Sequence, residues 1–65
     1  MYLVTQNGKN LVNMDVYDTI RVEDSGIIAS KDNRTILLGM YGSEEAAMKE
    51  FNSLVSNLGS VIVMD

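Results

Sequence analysis

The stretch TILLGMYGSEEAAMKEFNSLVSNLG, residues 35–59, changes its hydrophobic period halfway along. Up to residue 41 the apolar side chains alternate as they do in a strand. Beyond residue 43 they recur at helical spacing and form one stripe, made of Ala47, Phe51, Leu54, Val55 and Leu58. Ser43 is placed to cap the N-terminus of this helix, and Gly59 to follow its last turn. The stretch predicts a strand and then one helix over about 43–58.

The residues before this stretch predict several strands joined by tight turns. Asn7-Gly8 favours a two-residue hairpin turn in which both positions have a positive φ. Asp24-Ser25-Gly26 predicts a three-residue loop with Gly26 in the left-handed position, and the polar run 31–34 predicts a third turn. The strands expected from these signals cover residues 2–6, 9–14, 16–23, 27–30 and 35–41.

After the helix, residues 60–64 predict a last strand that returns to the sheet. We therefore expect an α+β fold in a single domain over residues 1–65, with one antiparallel meander sheet of about five to six strands. The helix packs on one face of that sheet. Gly39 inside a predicted strand indicates a bulge or a close approach of the backbone.

The composition excludes several classes of function. The chain has 65 residues and contains no Cys and no His. It can therefore form no disulfide, no zinc site with Cys or His ligands, and no nucleophile that depends on a thiol or an imidazole. No other candidate nucleophile lies beside a visible base. We expect no catalytic residue, and we expect that the protein is not an enzyme.

Acidic side chains could in principle supply oxygen ligands to a cation, and the candidates are Asp15, Asp18, Glu23, Asp24 and Asp32. Their spacing matches no calcium loop. Two of them fall in predicted turns, where Asp is favoured for local reasons. The preferred interpretation is a solvated surface, so no metal and no cofactor is expected.

The net charge of -4 bears on the class of partner. The positive side chains are scattered along the sequence, at Lys9, Arg21, Lys31, Arg34 and Lys49. An acidic chain without a basic patch is not expected to bind nucleic acid or an anionic membrane surface. No apolar run approaches the ~18 residues of a membrane span, and Met1–Gln6 lacks the features of a signal peptide. We expect a cytoplasmic protein.

The second face of the predicted sheet is the main problem that the sequence poses, because one helix can cover only one face. The other face would carry some of the remaining apolar residues, namely Tyr2, Val4, Tyr17, Leu37, Tyr41 and members of the run 61–64. A small domain without disulfide or metal often relies on oligomerisation. We expect a homo-oligomer, most simply a dimer. The alternative is a sheet that coils strongly around its own core.

The candidate interface residues follow from this expectation. Tyr17, Leu37 and Tyr41 are assigned to the open sheet face, and Met48 is added because it lies off the helix stripe. Met40 and Met64 are expected to fill the core.

The segments Leu3–Gly8 (LVTQNG) and Tyr41–Ala47 (YGSEEAA) resemble a group of short proteins of Gram-positive bacteria, their phages and mobile elements. Those proteins typically open with an apolar strand, Ser-Gln and Asn-Gly or Asp-Gly. They later show Tyr-x-Ser/Thr-Glu-Glu, a basic residue and Ala at a helix start. Here Thr5 stands where Ser is usual, and Ala46 stands where the basic residue is usual. The resemblance implies a small accessory protein and supplies no catalytic residues.

Two hypotheses about function follow. The first is a small non-enzymatic protein-interaction module that self-associates through its open sheet face or an edge strand. The alternative is an inhibitor or regulator of phage or mobile-element type that binds a host protein or a small ligand. Catalysis is a third and weaker interpretation, since it would need a carboxylate pair in a desolvated cleft.

Overall fold

The computed structural model describes residues 1–59 and 61 and has an α+β fold. Its elements are β1 (Tyr2–Val4), β2 (Leu11–Asn13), a 3-10 turn (Met14–Val16), β3 (Thr19–Glu23), β4 (Gly26–Lys31), β5 (Arg34–Met40) and α1 (Glu44–Leu58). β1 pairs with β2, while β3, β4 and β5 form a three-stranded sheet in that order. All of these pairings are antiparallel.

The predicted single meander sheet of about five to six strands is not confirmed, because the described strands form two sheets. The chain does not run straight from β2 into β3. The side chain of Asn13 accepts a hydrogen bond from the backbone N–H of Asp15 at 3.1 Å, and this caps the 3-10 turn. The turn places Met14 in the core, with 5% of its surface exposed. The strand predicted over 16–23 consequently begins at Thr19.

The first hairpin is joined to the larger sheet by Gln6 rather than by a strand ladder. The Gln6 backbone N–H donates to the Leu38 carbonyl at 2.9 Å. The Gln6 side-chain oxygen accepts from the Met40 N–H at 2.7 Å. These two bonds satisfy backbone groups at the outer edge of β5, which would otherwise be open to pairing with another strand.

Two of the predicted turns have a different form. Asn7-Gly8 is not a two-residue turn: Val4 pairs with Leu11, so the loop runs from residue 5 to 10, and only Gly8 of the pair has a positive φ, +74°. The Asn7 side chain instead accepts from the Lys9 N–H at 2.9 Å, which closes a local turn.

The prediction of a left-handed Gly26 is also wrong. Gly26 pairs with Glu23 inside the ladder, and the left-handed residue of this hairpin is Asp24, with φ of +54°. The third predicted turn is present as Asp32-Asn33 between paired Lys31 and Arg34. In both hairpins an Asp occupies the strained position, which its short polar side chain tolerates.

The helix agrees with the prediction. The Ser43 hydroxyl accepts from the Ala46 N–H at 3.1 Å, and Gly59 follows the helix with φ of +83°. Ala47 of the apolar stripe is fully buried, whereas Phe51 is half-buried against the core. Among residues 1–59, the buried apolar cluster consists of Val12, Met14, Ile27, Ala29, Leu38 and Ala47. The strand predicted over 60–64 lies outside the described residues at every position but 61. Val61 itself belongs to no strand.

A bulge in β5 overturns the prediction that Met40 fills the core. Ile28 pairs with Leu37 and Ile27 pairs with Gly39, so Leu38 is an extra residue on β5. One extra residue shifts the alternation of all side chains beyond it. Met40 therefore points away from the helix and is 55% exposed. Met64, the other methionine assigned to the core, lies outside the described residues.

Gly39 sits at the close approach that its position in a strand predicts. A Cβ added there would lie 2.8 Å from the Tyr41 hydroxyl oxygen and 3.0 Å from the Gln6 Cβ. We expect Gly39→Ala to lower the free energy of unfolding by about 1–3 kcal/mol, because these neighbours must move. Gly42→Ala is the matched control, since a Cβ at Gly42 meets nothing within 4 Å. Urea denaturation checks both variants, and equal stabilities would contradict the prediction.

Candidate functional site

The face of the three-stranded sheet that points away from α1 carries an apolar row formed by Ile28 and Leu37. The strand register aligns Arg21, Ile28 and Leu37 across the sheet, and it places Met40 beside them through its pairing with Gly26. Leu37 is 49% exposed and Ile28 is half-buried. We call this surface the outer face and define it by Arg21, Glu23, Ile28, Ser30, Leu37 and Met40.

None of the elements within residues 1–59 covers the outer face. α1 packs on the opposite side of the sheet, where Ile27, Ala29 and Leu38 are buried. Neighbouring apolar side chains left open in this way mark interaction surfaces more often than scattered single ones do.

The charged groups of the outer face are paired with one another. The Arg21 guanidinium donates to the Ser30 hydroxyl at 2.8 Å and to the Glu23 carboxylate at 3.2 Å. Both members of the ion pair are about half exposed, so the pair contributes little to stability. The pair does affect the charge of the outer face, because the positive charge of Arg21 and the negative charge of Glu23 cancel beside the apolar side chains. Such a face can be covered by a partner without burying a net charge.

The structure places the four predicted interface residues in different regions. Leu37 lies on the outer face, as expected. Tyr17 and Tyr41 are half-buried against the core on the side of α1, because each lies outside the strands, one before β3 and one after β5. Met48 is 40% exposed on the helix, beside Lys49 and Asn52. The four residues therefore do not form one surface.

Ile28 and Met40 are the two apolar residues of the outer face that the sequence pattern does not predict there. Ile28 belongs to a short apolar strand, and the alternation of apolar and polar residues that would assign it to one face is absent there. Strict alternation through Gly39 predicts the opposite face for Met40, and this prediction is wrong. Gly39 itself is the available signal: a bulge there moves Met40 to the face of Leu37.

A second surface feature is a groove between α1 and the first hairpin, with a volume of about 190 Å³. We call it the helix groove. Its floor is formed by the buried residues Ile27 and Leu38, and Leu54 forms part of its wall. Polar groups of Gln6, Tyr41, Glu50, Ser53 and Asn57 also line it. The groove therefore brings apolar side chains of the core and of α1 close to several polar groups.

Tyr41 lines the helix groove, and the pKa of its hydroxyl reports on its surroundings there. Burial raises the pKa of its hydroxyl above the usual 10.0, and the carboxylate of Glu50 raises this pKa further. The folded chain therefore holds the phenolic proton more tightly than the unfolded chain. This contribution to stability is complete below a pH of about 10 and declines as the pH rises through the folded pKa.

We expect the free energy of unfolding to fall more steeply above a pH of about 10 in the wild type than in Tyr41→Phe. Urea denaturation at several pH values between about 8 and 11 measures both slopes. The difference in absorbance at 295 nm between the two proteins gives the Tyr41 titration directly, with a midpoint above 10.0. If the free energy of unfolding falls equally steeply with pH in both proteins, the raised pKa of Tyr41 is contradicted.

The acidic residues considered as a cation site remain dispersed. Within the described part of the chain, no group of three acidic side chains is arranged to hold a metal ion. Asp15 is instead paired with the N-terminal ammonium at 3.0 Å, and Asp24 and Asp32 occupy hairpin turns.

Comparisons with known proteins add no assignment to these observations. No family model, no curated protein and no solved structure matches the chain. Across residues 1–59, no helix is both long and apolar enough to cross a membrane.

Proposed function

We propose that this chain is a small non-enzymatic protein-interaction module, acting in the cytoplasm, that forms a homodimer through its outer face. The observation that carries the proposal is the uncovered apolar row of Ile28 and Leu37, with Met40 beside it. Burying these side chains would remove apolar surface from water, which is the main driving force of association.

A second copy of the chain is the partner that suits this surface. A two-fold dimer brings the same patch of both copies together, so apolar residues meet apolar residues. In the same arrangement, Arg21 of one copy can approach Glu23 of the other, and the existing ion pair can be exchanged between copies. The net charge of -4 adds a repulsion that the apolar contact has to overcome.

The size of the face sets the expected affinity. Three strands of five, six and seven residues cover roughly 300 Å² of sheet. This is small in comparison with the ≈ 800 Å² that each partner buries in a standard interface. We therefore propose a dimer with a dissociation constant in the micromolar range rather than a permanent assembly.

The test is the oligomeric state of the untagged protein. Sedimentation equilibrium between about 1 and 500 μM should show a reversible monomer–dimer equilibrium, and native mass spectrometry should show a species of twice 7.2 kDa. A monomer over the whole range would contradict the proposal.

A further inference from the structure

The helix groove combines an apolar floor with one charged side chain. Ile27 and Leu38 form the floor, and Leu54 contributes from α1. Among the described residues that line the groove, Glu50 alone has a formal charge at neutral pH. Within residues 1–59, Glu50 takes part in no salt bridge. The groove therefore offers an apolar slot beside an uncompensated carboxylate.

The neighbouring polar groups leave this carboxylate as the main recognition element. The Gln6 side-chain oxygen accepts a hydrogen bond from the Met40 N–H, and the amide itself carries no charge. The Tyr41 hydroxyl is held in its neutral form at pH 7. Neither group supplies a positive charge that would pair with Glu50. A bound cation would find a partner here, whereas a bound anion would be repelled.

We propose that the helix groove binds the basic side chain of a partner polypeptide, with its alkyl stem on Leu38 and Leu54 and its cationic head at Glu50. Long basic side chains bury their methylene stems along apolar surfaces while the charged end stays in water. The net charge of -4 would steer a basic partner toward this surface. The groove lies on the side of the sheet opposite the outer face, so this site is independent of the proposed dimer.

The test uses three small probes that share one alkyl chain: hexylammonium, hexanol and hexanoate. Each is titrated into the ¹⁵N-labelled full chain at pH 7 and followed by two-dimensional NMR. We expect saturable shifts that centre on Leu38 and Leu54, with hexylammonium binding about fivefold more tightly than hexanol. Hexanoate should bind more weakly than either. Added salt should reduce the preference for hexylammonium.

Glu50→Gln and Glu45→Gln form a matched pair of variants, because both are exposed carboxylates on α1. Glu50→Gln should abolish the preference for hexylammonium over hexanol, and Glu45→Gln should leave it unchanged. Three results would overturn the proposal: equal binding of hexanoate and hexylammonium, shifts that map to another surface, or no saturation by hexylammonium. The comparison of probes on the wild-type chain stands even if a variant fails to fold.

Discussion

Leu37→Arg is expected to turn the proposed dimer into a folded monomer. Leu37 is 49% exposed, so the single chain can accommodate a longer side chain that extends into water. In a two-fold dimer, however, the substitution buries two guanidinium groups against the apolar row of the outer face. An unpaired buried charge at an interface costs about 2–5 kcal/mol. The dissociation constant should therefore increase by roughly 30-fold or more.

Two control variants show whether the effect belongs to the outer face. Leu11→Arg makes the same chemical change at a leucine that is 68% exposed on the first hairpin. Met48→Arg tests the exposed helix surface around Met48, which the sequence predicts as a contact. Sedimentation equilibrium of all three variants should show dissociation for Leu37→Arg alone. Dissociation by either control, with Leu37→Arg still dimeric, would move the interface away from the outer face.

Leu38→Ala is expected to be the most destabilising of the substitutions considered for this chain. Leu38 is only 5% exposed and lies in the core cluster. Truncating a buried leucine costs about 2–5 kcal/mol, from lost apolar burial and from the cavity that remains. The total stability of a 65-residue domain is about 3–10 kcal/mol, so this loss would remove a large part of it. Urea denaturation followed by circular dichroism measures the change.

Leu37→Ala is the control, because the two leucines are neighbours in sequence and lie on opposite faces of β5. At a concentration where the protein is monomeric, Leu37→Ala should change the free energy of unfolding by no more than about 0.5 kcal/mol, as exposed sites usually do. Similar losses for the two variants would mean that the assignment of faces in β5 is wrong.

The parts of this fold that the sequence predicted well are those governed by local interactions. Ser43 and Gly59 mark the ends of α1 because capping bonds and a left-handed residue act within one turn of the chain. The hairpin at Asp32-Asn33 follows from turn residues between two alternating segments. Leu37 was assigned to the open face because simple alternation holds up to that position.

The candidate sites could be predicted only in part. Alternation predicts that Leu37 lies on the outer face. Predicting Ile28 and Met40 there needs the position of the bulge. Predicting the helix groove needs the placement of α1 against the first hairpin. Tyr17 and Tyr41 were assigned to the open face as if they belonged to strands, whereas both lie just outside the strands and pack beside the core. Burial at such positions depends on neighbours distant in sequence.

By itself, the sequence determined the α+β class, the helix with both of its ends, and the hairpins of the larger sheet. These features depend on hydrophobic period and on turn and capping residues, which act over a few positions. Only the tertiary structure decided that the strands form two sheets, that Met40 lies outside the core, and that a groove opens beside Glu50. The physical reason is that the burial of Met14, the attachment of Gln6 to β5 and the bulge at Leu38 depend on contacts between segments distant in sequence.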